Sequence, residues 1–178
     1  LCQVPPGFTK SIKWNKNNLY YQVETLIYSN AQKRALKPER IIIGKYKNKN
    51  ISKAYSLYLK KFDCPIIEMD YESAELTKIC INIYLISQVT NTNLLSDTAQ
   101  NIGADWNKIT EALKLDKRIG KHCYLKPGLG ISGGNLERDL TTLSKFIGRS
   151  FYYSNYIKNI KNISDYRKNW ILRKFNEI

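Results

Sequence analysis

The residues best placed for chemistry lie between Leu115 and Leu140, LDKRIGKHCYLKPGLGISGGNLERDL, where five glycines and one proline break up a run of charges. Such a segment is too irregular to be one helix or strand, and it passes directly into an apolar-periodic run, Leu136, Leu140 and Leu143. Gly128, Gly130, Gly133 and Gly134 admit backbone conformations closed to other residues and allow close approach to something small. Asn135 stands where a side chain caps the following helix. A glycine loop feeding a helix N-terminus is a common holder of an anionic ligand, since free N–H groups and the helix field both favour it. The same pattern fits a long structural loop ending in a capped helix, and residue types alone leave both readings open.

The elements that must position this loop fall into two parts. Residues 1–70 read as alternating β and α. A short amphipathic helix from about Thr9 to Trp14 follows the Pro5-Pro6-Gly7 turn. Tyr20 to Glu24, Arg40 to Ile43 and the run opening Pro65-Ile66-Ile67 are strands, and Ile51 to Lys61 is a helix. The apolar run ending at Ile43 has the character of a buried strand, and the order suggests part of a parallel α/β sheet. No G-x-G-x-x-G fingerprint accompanies it. Residues 71–178 read as helical. Asp70 caps a helix of roughly 30 residues from Ser73 to Ile102, closed by Gly103. Asp105 caps a short helix to Leu113, Leu136 to Phe146 is another, and a final helix runs from about Tyr152 to Phe175.

Composition narrows the classes. With 178 residues, 43% hydrophobic and 12% aromatic, the chain can bury a core. No run approaches the roughly 18 apolar residues of a membrane span. Cys2, Cys64, Cys80 and Cys123 form no CxxC pair, so neither a zinc site nor a disulfide framework is expected, and a reducing, cytoplasmic location is. The net charge of +14 raises nucleic-acid binding, but the lysines are spread along the chain and no recognition motif accompanies them.

Several ordered stretches together resemble the UDP-glucose/GDP-mannose dehydrogenase family over nearly the whole chain. QVPPGFTK (3–10) is similar to that family's VPPGTT turn, and VETLIYSNAQKRALKPERIIIG (23–44) to its P-E-x-L…P-D-R stretch. SAELTKICIN (73–82) carries the S-A-E-(L/M)-x-K-x-x-x-N signature, and NIGAD (101–105) the turn after it. LDKRIG (115–120) and KPGLGISGG (126–134) resemble the substrate loop. The resemblance implies an α+β, mostly α fold: an incomplete Rossmann-like α/β segment (1–70), then a long-helix dimerisation domain of the 6-phosphogluconate-dehydrogenase-like type (71–178).

In that family the C6 alcohol of a nucleotide sugar is oxidised to a carboxylate by two hydride transfers to NAD, through a thioester on an active-site cysteine. The resemblance places that cysteine at Asn135, which has no comparable nucleophile. It implies catalytic positions at Glu24 (base), Lys78 and Asn82 (oxyanion and water) and Asp139 (acidic partner of the water). It implies substrate contacts at Arg118, Gly130, Ile131 and Gly133, with Arg118 reaching the neighbouring subunit. Ser132 and Gly134 exchange the family's glycine and serine, and Glu137 and Arg138 stand where Pro and Lys are usual. Within these residues the resemblance finds no counterpart of the NAD-binding βαβ unit or the C-terminal nucleotide-gripping domain, and both are expected to be missing. The expectation is a truncated, non-catalytic relative that binds no NAD alone, pairs as a homodimer through the Ser73–Ile102 helix and serves as a dimerising or nucleotide-sugar-site module. The alternatives are one part of a split NAD-dependent UDP-sugar dehydrogenase and a basic nucleic-acid-binding module.

Overall fold

The computed structural model describes residues 2–47 and 49–176; Leu1, Asn48, Glu177 and Ile178, within the expected domain spans, lie outside the described residues. The fold is α+β and mostly helical. It divides into two compact units, Leu1–Cys80 and Ile81–Ile178, ten residues beyond the boundary expected after Asp70. The difference has a packing reason: Tyr71 and Ala74, at the start of the long helix, belong to the core of the first unit.

The first unit is organised on β2 (Ile41–Lys45), the central strand of three. It pairs antiparallel with β1 (Tyr21–Gln22) and parallel with β3 (Ile66–Asp70), in register Ile41 to Ile66 through Lys45 to Asp70. Successive side chains of a strand face opposite ways. Ile41 and Ile43 therefore pack with Leu59 of α3 (Lys53–Leu59), while Ile42 packs with Tyr21, Val23, Tyr71 and Ala74. Covering on both faces is why this strand reads as a continuous apolar run.

Among the three strands the expected parallel pairing holds for β2 and β3 and not for β1, although an isolated parallel bridge joins Cys2 to Val23. A parallel return needs a crossover that covers a sheet face, and α2 (Ala31–Leu36), between β1 and β2, buries none of its residues. At Gly44 an added Cβ would stand 2.9 Å from Ala74 Cβ and 3.2 Å from the Tyr71 backbone, so glycine lets the next helix lie directly on the strand. The expected Thr9–Trp14 helix is a single turn, α1 (Phe8–Ser11), because Ile12 turns extended.

β3 passes without a loop into α4 (Tyr71–Asn101). Asp70 caps it as expected, accepting the Ser73 N–H at 2.7 Å, and Gly103 closes it at φ +73°. In the second unit α5 (Trp106–Leu115) begins at its Asp105 cap, which accepts the Asn107 N–H at 2.9 Å. α6 (Gly134–Ser144) and α7 (Phe151–Lys168) join residues of α4 around Ile86, Ile131, Leu140, Ile157 and Ile160. Each such aliphatic side chain contributes roughly 1.5–3 kcal/mol by leaving water. The expected last helix is two, with α8 (Trp170–Asn176) following a break at Asn169, a residue type whose side chain competes for backbone partners.

Candidate functional site

Four of the expected site residues stand in two pairs. Within the first unit, Lys78 Nζ lies 3.8 Å from Glu24 Oε2, with the lysine side chain only 11% exposed. Glu24 Oε1 also accepts the Leu26 N–H, which fixes the carboxyl group locally. Within the second unit, Asn82 Nδ2 donates to Asp139 Oδ2 at 2.5 Å, and Asp139 is 2% exposed. Arg138 Nε lies 3.5 Å from the other carboxyl oxygen. Lys78 and Asn82 are one turn apart on α4, and the spacing that put them on one face also puts Glu75 there.

Glu75 is the residue that sequence reasoning missed. It is fully buried, and its two oxygens accept the Gly7 N–H at 2.6 Å and the Thr9 N–H at 2.7 Å. A buried carboxyl group needs such donors, so Glu75 ties the Pro5-Pro6-Gly7 turn to α4. A signal was present: Glu75, Lys78, Asn82 and Asn93 recur at helical spacing on the buried stripe of α4, where polar side chains are rare unless partnered.

The glycine loop differs from expectation in its details. Asn135 does not cap α6. The helix starts at Gly134, two residues before the expected Leu136; the cap position is Gly133 at φ +90°, and Asn135 is the second helical residue, exposed, with no side-chain cap bond at this end. Glycine can adopt that conformation where asparagine is strained. Asn135 still stands in the first turn, where the helix field favours an anion, but it offers an amide and no thiol. Gly130, at φ +88°, is required by close approach to α7: a Cβ would stand 2.7 Å from the Ser164 carbonyl oxygen. Ile131 is 2% exposed and serves the core, while its N–H donates to Ser164 Oγ at 2.9 Å. At Gly133 an added Cβ meets open space, so φ alone demands glycine.

Between α6 and α7 lies a cavity of about 260 Å³, lined in part by Ile131, Leu140, Thr141, Lys161 and Ser164. At its rim Lys168 Nζ lies 2.7 Å from Glu137 Oε1, and that bond holds the Glu137 carboxyl below the usual range. Arg118 folds back within its own loop, Nη2 to Asp116 Oδ2 at 2.6 Å, with 88% of its side chain exposed. The Arg118 side chain, and then its N–H, hold the Asp116 carboxyl below the usual carboxylate range. Among the described residues no cluster could hold a metal ion, and no helix is long and apolar enough to cross a membrane.

A three-stranded mixed sheet, a 31-residue helix and a glycine loop feeding a second helix make an α+β, mostly α arrangement of the kind found in UDP-glucose dehydrogenases. Residues 72–166 match the central-domain model of the UDP-glucose/GDP-mannose dehydrogenase family, and the chain belongs to that family. The UDP-glucose 6-dehydrogenase TuaD of Bacillus subtilis is 28% identical over 136 residues, covering 76% of this chain and 29% of the relative. A solved UDP-glucose dehydrogenase from Pyrobaculum islandicum superposes with a TM-score of 0.76 at 29% identity, over 92% of this chain and 40% of that one. The UDP-N-acetyl-mannosamine dehydrogenase Cap5O of S. aureus shares the fold, with a TM-score of 0.71 at 18% identity over 98% of this chain and 43% of that one. The chain thus spans less than half the length of these relatives.

Proposed function

We propose that the chain is a non-catalytic member of its family, a self-associating module that presents a nucleotide-sugar site without oxidising what it holds. The observation that carries this reading is Asn135, in the first turn of α6, at the position where the family resemblance calls for the thiol nucleophile. An amide forms neither thiohemiacetal nor thioester, so the covalent route to the carboxylate is closed. The other implied positions fit structural duties: Asn82 and Asp139 join α4 to α6, and Glu24 and Lys78 hold each other's charge.

The described residues do not fit NAD. The carboxyl end of β3 runs straight into α4, and residues 46–52 after β2 contain no glycine. Neither offers the glycine-lined turn in which a pyrophosphate lies against a helix N-terminus, so no step is routed through that cofactor. Self-association is supported by Tyr84, Leu94, Leu95 and Ile102, large apolar residues exposed on or just after α4. Four free cysteines fit a reducing, cytoplasmic setting.

The test is turnover. The purified chain, given NAD with UDP-glucose or GDP-mannose, is expected to yield no NADH fluorescence above a protein-free blank, and Asn135→Cys alone is expected to restore none. A reproducible, protein-dependent NADH signal from the natural chain overturns the reading.

A further inference from the structure

The glycine loop is fastened from three sides by side chains of α4, α5 and α7. From α4, Thr92 Oγ1 donates to the Tyr124 carbonyl at 2.6 Å, and Asn93 Oδ1 accepts the Gly128 N–H at 2.8 Å. From α5, Trp106 Nε1 donates to the Leu125 carbonyl at 3.0 Å. From α7, Arg167 Nε donates to the Gly128 carbonyl at 3.0 Å, and Ser164 Oγ accepts the Ile131 N–H. Arg167 is itself held by Asp97 of α4, Nη1 to Oδ1 at 2.5 Å, with its side chain 8% exposed. Gly128 is gripped at both its N–H and its carbonyl, and Gly130 is seated against Ser164 too closely for any Cβ.

Surface loops ordinarily leave their backbone groups to water and open readily. Here backbone groups between residues 124 and 131 are instead satisfied by partners on regular helices, several of them buried. We infer that Asn93, Ser164 and the Asp97-anchored Arg167 are positioning residues. They hold the loop in its final shape before any ligand arrives, so that the turn from Ser132 to Asn135 meets a nucleotide sugar already formed and does not fold over it as a lid. Preorganisation of this kind removes an ordering cost from binding. The ligand half of the inference rests on the nucleotide-sugar reading above; the clamp itself does not.

The experiment is amide hydrogen exchange by NMR on the full chain, with the Leu140 amide in the middle of α6 as internal reference. In the natural chain the Gly128 and Ile131 amides are expected to be protected. Asn93→Ala should speed exchange at Gly128, and Ser164→Ala at Ile131, each by about tenfold relative to Leu140. The pairing of variant to amide is a readout that uniform destabilisation would not produce. Unprotected Gly128 and Ile131 amides in the natural chain, or unchanged ratios in both variants, overturn the clamp.

UDP-glucose is then added as the probe. It is expected to shift the Gly133 to Asn135 resonances, to leave Gly128 and Ile131 protection within about threefold, and to bind about tenfold more weakly to either variant. A large gain of protection at Gly128 on binding overturns preorganisation. Failure of the natural chain to bind UDP-glucose retires the nucleotide-sugar reading, while the exchange pattern still decides the clamp.

Discussion

Replacing Asn82 by alanine removes a donor from a carboxyl group with little access to water. Asn82 is 5% exposed and Asp139 2%, and the bond between them is 2.5 Å. A hydrogen bond to a charged group contributes about 1.5–3 kcal/mol, and Asn82 is one of the groups that hold Asp139 in place. Arg138, with half of its side chain in solvent, offsets no more than about 1 kcal/mol. The expected loss is therefore about 2 kcal/mol, a large share of the roughly 5–15 kcal/mol that holds a domain together. With a urea slope near 2 kcal/mol/M, the midpoint should fall by about 1 M. A double-mutant cycle with Asp139→Asn isolates the pair from the other contacts of each residue. The coupling should lie between about 0.5 and 3 kcal/mol. A midpoint unchanged by Asn82→Ala, or additive effects in the cycle, would refute the view that this pair joins α4 to α6.

Three further outcomes are expected. Gly44→Ala overpacks the contact between β2 and the first turn of α4, costing about 1–3 kcal/mol, and calorimetry should show a melting point lower by several degrees. Asp70→Ala removes the cap of α4 and should cost about 1 kcal/mol at neutral pH. Hydrogen bonds from the Ser73 side chain and then its N–H hold Asp70 below its ordinary 3.8, so its contribution is present above that value and is lost as pH falls through the lower folded one. Urea titrations should accordingly show the gap between natural chain and Asp70→Ala closing below about pH 4. Light scattering at micromolar concentration should give about twice the 20.7 kDa chain mass, and Leu94→Asp should lower it; a monomeric natural chain sinks self-association through α4.

What could be read from sequence was set by how local its cause was. The apolar run of β2, the caps at Asp70 and Asp105 and the stop at Gly103 each depend on a few adjacent residues, and each was legible. The sense of β1 was not, since it depends on whether the intervening chain covers the sheet. Asparagine is favoured at a cap, which is why the sequence points to Asn135, yet Gly133 takes the cap position at a backbone angle that strains asparagine. Glu75 was seen only as a motif letter. Its partners, Gly7 and Thr9, lie more than 60 residues upstream, and nothing near Glu75 names them. The local partner of Arg118 is legible too, since Asp116 stands two residues away in the sequence.

The seamless join of β3 to α4 leaves the long helix no slack in rotation. Each residue of an α-helix advances the chain by about 100°, so the last strand residue fixes the phase of the first turns of α4 within the first unit. One residue inserted at Asp70–Tyr71 would turn Ala74 away from Gly44, Glu75 away from Gly7 and Thr9, and Lys78 away from Glu24, all at once. A substitution there is a local injury; a change of length is not. An insertion at this joint is therefore expected to unfasten the first unit's core where a substitution would only weaken one contact, and a urea midpoint measured for each would show the difference.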